Sequence, residues 1–219
     1  MRTLIVGDVH GCAAELARLL RVADASRVVL VGDVFTKGPD PVGVWRCVRG
    51  HGLASVLGNH DQRLIDVLQG RRTGDAEAER CIAALDADDP SWREWLAALP
   101  LWRDVAGWRV VHAALPPSGD PTEARPTQLF SARRWPGSRA HDPWWVEAYE
   151  GQVPVVYGHD AVRGLVWRTR DGRPWVVGLD SGCVYGGQLS GLVIETQELI
   201  QVPATRVYRP VGPAAREAQ

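Results

Sequence analysis

Three short aliphatic runs in the first sixty positions all stop in the same way. Leu4-Ile5-Val6 runs into Gly7-Asp8, Arg27 to Val31 into Gly32-Asp33, and Ala54 to Leu57 into Gly58-Asn59. Each reads as a short buried strand closed by a glycine and followed by an oxygen-bearing side chain. Between the first two, Leu16, Leu19, Leu20 and Ala23 recur at helical spacing with Arg18 and Arg21 on the outside. Strand, helix and strand in that order form a right-handed crossover, so the first two strands are parallel neighbours. Asp8 and Asp33 then emerge at one sheet edge, the edge where open α/β sheets carry their ligands.

The same device recurs further on. In extended backbone, residues two apart point the same way, so His10 joins Asp8. His112 closes the run Trp108 to His112, and His159 follows the run Pro154 to Tyr157. A single Asp or His at a strand end is as often a turn cap or a surface residue. Repetition at several strand ends is hard to explain as caps. Asp8, His10, Asp33, Asn59, His112 and His159 together offer two carboxylates, an amide oxygen and three imidazoles. That mixture of hard and borderline donors suits two divalent transition ions. Two ions about 3.5–4 Å apart need a bridging carboxylate, and Asp33 is the central candidate.

Elsewhere the chain alternates helical and strand patterns. Helices are expected over 42–49, 61–68, 76–85 and 90–99, the last with Trp92, Trp95, Leu96 and Leu99 on one face. Strands are expected near 101–105, 108–112, 164–170 and 175–179, with a closing hairpin over 191–196 and 199–203. The 219 residues predict one domain over 1–209 with a helical cap inserted at about 62–100. A Pro-interrupted Arg/Trp-rich loop spans about 115–145, and a tail covers 210–219. A loop of that length in a compact domain is commonly functional.

A formal net charge of −1 argues against nucleic-acid or membrane binding driven by bulk charge. The four cysteines, Cys12, Cys47, Cys81 and Cys183, are scattered without a Cys-x-x-Cys pair, so neither a zinc knuckle nor a disulfide framework is indicated. The opening residues lead directly into a strand, and no apolar run approaches a membrane span. The expectation is a cytoplasmic protein with reduced thiols and no membrane partner. Ten tryptophans are expected mostly in core packing.

The motifs Gly7-Asp-Val-His-Gly11, Gly32-Asp-Val-Phe-Thr-Lys-Gly38, Gly58-Asn-His-Asp61, Val110-Val-His-Ala113 and Tyr157-Gly-His-Asp160 resemble, in order and spacing, those of the calcineurin-like metallophosphoesterases. The resemblance implies an α/β four-layer αββα sandwich with a helical cap. It implies a first ion held by Asp8, His10 and Asp33, and a second held by Asp33, Asn59, His112 and His159. It also implies that His60 protonates the leaving oxygen as general acid. Manganese is the expected ion, with iron, cobalt or zinc compatible. Residue 161 is Ala, so the Gly-His-x-His variant of the family is absent. Within the superfamily the chain resembles the symmetrical diadenosine tetraphosphate hydrolases in Leu179-Asp-Ser-Gly-Cys-Val-Tyr-Gly-Gly187 and in Thr36-Lys37-Gly38. Phosphoprotein phosphatases carry Asp-Arg-Gly at the latter position. Thr36 cannot supply the carboxylate that supports the general-acid histidine there. Lys37 can replace the arginine as a point charge.

The expected activity is symmetrical hydrolysis of diadenosine tetraphosphate to two ADP by a monomer, with other dinucleoside polyphosphates as related substrates. Capped RNA bearing a nucleoside tetraphosphate is a related substrate. The alternative is a phosphoprotein (Ser/Thr or Tyr) phosphatase of the same superfamily. Lys37, Arg133 and Arg134 are expected to meet the phosphates, with Arg125 and Arg139 as further candidates. Trp92, Trp95, Trp135, Trp144 and Trp145 are the candidates for a base shelf. A non-catalytic module would show broken ligand positions, and none is broken. Gly7 to Gly11 is not the Gly-x-Gly-x-x-Gly of a dinucleotide-binding domain.

Overall fold

The computed structural model describes residues 1–137 and 141–210. Arg139 and the expected tail beyond 210 lie outside the described residues. The first sheet contains β1 (Thr3–Val6), β2 (Arg27–Leu30) and β3 (Ala54–Ser55), flanked by β9 (Gln188–Val193) and β10 (Glu198–Pro203), in the order β10-β9-β1-β2-β3. β1, β2 and β3 pair in parallel, with Val6 opposite Leu30. α1 (Ala13–Ala23) and α2 (Pro41–His51) supply the crossovers. Pro41 at the first turn and the Asp40 carboxylate, which accepts from Gly43 N, start α2, as proline and a short acidic cap do at helix N-termini. The second sheet runs β4-β5-β6-β8-β7, from β4 (Trp102–Val105), β5 (Trp108–Val111), β6 (Val155–Tyr157), β7 (Val166–Arg170) and β8 (Arg173–Gly178). Its central strands β5, β6 and β8 are parallel.

Alternation along the strands builds the layers. Ile5 and Val29 point into a cluster between the sheets, where they meet Val110, Val156 and Val177. Their neighbours Leu4, Val6 and Leu30 point the other way, onto α1 and α2. In the second sheet Val111, Val155 and Val176 face outward onto Leu129, Trp145 and Tyr149. Every strand of the centre is therefore buried on both faces, which explains the near-continuous aliphatic runs in the sequence. The result is helix, sheet, sheet, helix.

The inserted segment forms α3 (Asn59–Leu68), α4 (Ala76–Asp88) and α5 (Trp92–Ala97). Leu64, Leu85, Trp92 and Leu96 from these helices join the outer apolar cluster shared with α1 and α2. The Arg/Trp-rich segment holds more regular structure than its prolines suggest: α6 (Pro126–Ser131) and α7 (Trp145–Ala148) cover the second sheet. Pro126 opens α6 at its first turn, so this proline starts a helix rather than breaking one. Trp92 and Trp145 are fully buried, and Trp95 and Trp135 pack against the apolar clusters.

Candidate active site

The C-terminal ends of the central strands of both sheets meet at one cavity of about 360 Å³. Asp8 and His10 follow β1, Asp33 follows β2, and Asn59 and His60 open α3. His112 follows β5, His159 follows β6, and Asp180 follows β8. Asp33 lies at the centre. Its Oδ2 is 3.5 Å from His10 Nε2, and its Oδ1 is 3.5 Å from His112 Nε2. The two oxygens of one carboxylate thus address two different imidazoles, as a bridging ligand must. Asp8 Oδ2 is 4.0 Å from His10 Nε2.

Hydrogen bonds fix which ring nitrogens face inward. His112 Nδ1 donates to the Val31 carbonyl at 2.8 Å, and His159 Nε2 donates to the Ser131 carbonyl at 3.0 Å. The inward nitrogens, His112 Nε2 and His159 Nδ1, then carry lone pairs. They lie 3.1 Å and 2.8 Å from Asn59 Oδ1. Three acceptors converge with no proton to share, which is a donor set for a cation. Lys37 Nζ donates to His10 Nε2 at 3.0 Å, so a positive charge is already placed at the first half of the site.

The backbone is bent hard to achieve this. His10, Asp33, Lys37 and His159 all have positive φ, between 45° and 70°. Non-glycine residues rarely adopt that conformation, and it costs on the order of 1–2 kcal/mol each. The strain is held by specific bonds. Asp61 Oδ2 accepts from Asp33 N at 2.8 Å and Gly58 N at 3.0 Å, and its Oδ1 accepts from Val34 N at 3.0 Å. It ties the turn after β2 to the turn after β3. His159 N donates to Asp8, and His60 N donates to Asp33 Oδ1 at 2.9 Å. Glycine is needed at two contacts. A Cβ on Gly58 would sit 2.2 Å from Asp33 Oδ1, and one on Gly158 would sit 2.0 Å from Asp8 Oδ1.

Burial and mutual repulsion shift the titrations. Burial, then the charges of Asp180 and Asp33, push the Asp8 carboxyl well up. Asp33 and Asp180 are each pushed up to about 6, chiefly by burial. Desolvation drives the imidazoles down: His112 to about 4, His60 to about 2, and His10 and His159 well below the usual range. Crowded buried carboxylates beside neutral imidazoles are a donor set that a divalent ion would stabilise. The residues therefore fit the group that the donor set calls for.

All six expected donors are brought together. Lys37, His60 and Arg133 also line the cavity. Arg133 Nε is 3.2 Å from Asp160 Oδ1, and its Nη2 donates to the His159 carbonyl at 3.1 Å. Arg134 does not line the cavity. It stacks 4.1 Å from the centre of the Trp144 ring and donates to the Asp142 carbonyl. Adjacent residues point to opposite sides, and the pairing of Arg134 with Trp144 decides which one turns away. None of the tryptophans proposed as a base shelf lines the cavity; Tyr185 does, with Lys37 Nζ 5.6 Å from the centre of its ring. Sequence reasoning named neither Asp61 nor Asp180 as a site residue. Asp180 sits in the quoted Leu179 to Gly187 segment, and its place after a strand was the available signal.

A profile of the calcineurin-like phosphoesterases matches residues 1–188. The chain belongs to that family. Among curated calcineurin-like relatives, the symmetrical bis(5'-nucleosyl)-tetraphosphatase of Bordetella pertussis is 28% identical over 276 residues, covering 94% of this chain and 97% of the relative. The protein of the same name from Coxiella burnetii is 27% identical over 280 residues, covering 94% and 93%. Both alignments run longer than this chain, so the relatives carry internal stretches that this phosphoesterase lacks. A crystal structure of a candidate diadenosine tetraphosphatase superposes with a TM-score of 0.78 at 32% identity, covering 93% of each chain. A yeast protein serine/threonine phosphatase shares the fold, with a TM-score of 0.56 at 15% identity.

Proposed function

We propose that this chain is a two-ion hydrolase that splits diadenosine tetraphosphate at the middle of its bridge, releasing two ADP. The observation that carries the reading is the meeting of three lone-pair acceptors and the two-sided Asp33 carboxylate beneath a cavity rimmed by Lys37 and Arg133. Asp8, His10 and Asp33 would hold one ion, and Asp33, Asn59, His112 and His159 the other, with manganese the ion proposed. When bound, such a pair lowers the pKa of a shared water and offsets the charge of the transferring phosphoryl group.

The chain's own residues do the rest. Lys37 and Arg133 bind and orient the anionic bridge. Asp61 and the backbone N–H of His60 hold Asp33 in place. His60, neutral in the free chain, takes up a proton as the anionic bridge arrives beside it and delivers that proton to the leaving oxygen.

Thr36 favours an anhydride over a phosphoprotein. It is buried, its Oγ1 has no hydrogen-bond partner among the described residues, and it gives His60 no carboxylate. A phosphate leaving group, with its second pKa about 6, departs with little acid assistance, whereas a serine alkoxide needs a strong proton donor. The names of the curated relatives point the same way. Chromatographic product analysis with Mn²⁺ tests the proposal, using diadenosine tetraphosphate, a phosphoserine peptide and a phosphotyrosine peptide. ADP as sole product with the peptides turned over slowly is expected. Fast peptide dephosphorylation with the dinucleotide intact would replace the reading with the phosphatase.

A further inference from the structure

Beneath the active-site turns lies a second cluster of donors that the reaction does not use. Cys12 directly follows the Asp8–Gly11 turn and caps α1, Glu15 lies in the first turn of α1, and Cys183 lies three residues beyond Asp180. All three are buried: Cys12 and Glu15 are 0% exposed and Cys183 is 2% exposed. One donor atom from each, two sulfurs and a carboxylate oxygen, lies within 4.8 Å of the others. The cysteines are free thiols.

Glu15 is the telling member. Its Oε1 accepts from Thr205 N, Thr205 Oγ1 and Tyr208 Oη, each at 2.8 Å. Its Oε2 is buried and has no hydrogen-bond partner among the described residues. Burial works to raise its pKa, but the bonds from Thr205 and Tyr208 hold the carboxyl below the usual range, so it is ionised. The Arg18 guanidinium lies 4.0 Å from Oε1. A buried anionic oxygen with no partner is costly. One of the two Glu15 oxygens lies within 4.8 Å of both sulfurs.

We infer that Cys12, Cys183 and Glu15 form a second, separate metal site, selective for a thiophilic divalent ion of the zinc or cadmium kind. Two sulfurs and one carboxylate are a borderline-soft set, unlike the oxygen- and imidazole-rich cavity above it. Tetrahedral zinc with Zn–S of about 2.3 Å needs its donors about 3.8 Å apart, and these lie no more than 4.8 Å apart. Binding expels one proton from each thiol to solvent. The cluster's net charge stays at −1, because two protons are exchanged for one divalent cation. Because two protons leave for each ion bound, affinity rises with pH. The bound ion would join the turn that presents Asp8 and His10 to the loop that presents Asp180. This inference does not depend on the substrate.

The test uses the full-length reduced protein with excess Mn²⁺, which fills oxygen-rich sites and leaves thiols free. Cd²⁺ is then titrated, and the ultraviolet thiolate-to-cadmium charge-transfer band is read. The band should saturate at one equivalent and disappear in Cys12→Ser and in Cys183→Ser. It should persist in Cys47→Ser and in Cys81→Ser, and Glu15→Gln should weaken Cd²⁺ binding by at least about tenfold. X-ray absorption on the wild-type complex provides a readout that needs no variant, and two sulfur scatterers per cadmium are expected. No band from folded wild-type protein, a band that survives loss of Cys12, or recovery of Cys12 and Cys183 as a disulfide would each overturn the site. None of these outcomes bears on dinucleotide hydrolysis, so this inference and the proposed function fail separately.

Discussion

The two sheets contribute to one cavity in different ways. The first sheet delivers Asp8, His10, Asp33 and Asn59; the Asp33 turn is clamped by groups that follow the first sheet's own strands, whereas Asp8 accepts from His159 N of the second sheet. Asp33 is held by Asp61 and His60 N, with strained backbone fixed by short bonds. The second sheet delivers imidazoles whose orientation depends on another layer. His112 is anchored to the Val31 carbonyl across the sheet interface, and His159 to the Ser131 carbonyl in α6. Asp33 is thus placed by local turns, while the His112 and His159 lone pairs are placed by the packing of layers. Losing Asp33, the first-sheet ligand common to both ions, should remove the site. Losing a second-sheet ligand should loosen one ion and leave the other.

The largest effect tests that contrast directly. Asp33→Asn removes the group common to both halves and should lower kcat by more than about a hundredfold at any Mn²⁺ concentration. His112→Asn should instead weaken one ion's affinity by about ten- to a hundredfold, and raised Mn²⁺ should restore part of the activity. Equal, unrescuable losses would break the contrast.

His60→Ala sharpens the leaving-group argument. General acids contribute about 10²–10⁴, so the loss should reach that range on a phosphomonoester with a poor leaving group. It should be clearly smaller on diadenosine tetraphosphate. Equal losses would show that the anhydride needs the acid as much as an ester does.

Charge crowding gives a stability prediction. The Asp180 carboxyl is raised from 3.8 to about 6 in the folded chain, so the folded state holds a proton that the unfolded state has released. The folded chain is favoured by that proton below about pH 4 and loses the advantage as pH rises through about 6. In chelator, Asp180→Asn should therefore stabilise the protein at pH 7, on the order of 2–3 kcal/mol. The gain should vanish below about pH 4, as read by denaturant melts across pH. The smallest effect is Arg134→Ala, whose side chain lies on Trp144. It should change kcat/KM by less than about twofold, whereas Lys37→Met should raise KM severalfold.

The first sheet was the more legible in sequence because its ligands are local. Asp8, Asp33 and Asn59 each follow an aliphatic run within the first sixty residues, whereas His10 meets Asp8 through a left-handed turn beyond the end of β1 and not through the strand alternation expected from the sequence. His112 and His159 were legible as histidines after strands, although nothing local says which ring nitrogen faces inward. Asp180 escaped because its place depends on β8 lying beside β6. α6 and α7 escaped because six- and four-residue helices carry too few turns for periodicity to register among prolines. Arg134 was grouped with Arg133 by adjacency, and only the pairing with Trp144 separates them. Tyr185 at the cavity, rather than a tryptophan, reflects the same limit: packing consumed the larger rings.

The central claim is that both sheets converge on two ions sharing Asp33. Counting Mn²⁺ bound per chain, with electron paramagnetic resonance on the same sample, tests it most directly. The account predicts two ions per wild-type chain with a spin-coupled signal, and loss of the coupling in Asp33→Asn. A single ion with the spectrum of isolated Mn²⁺ in the wild-type protein would contradict it.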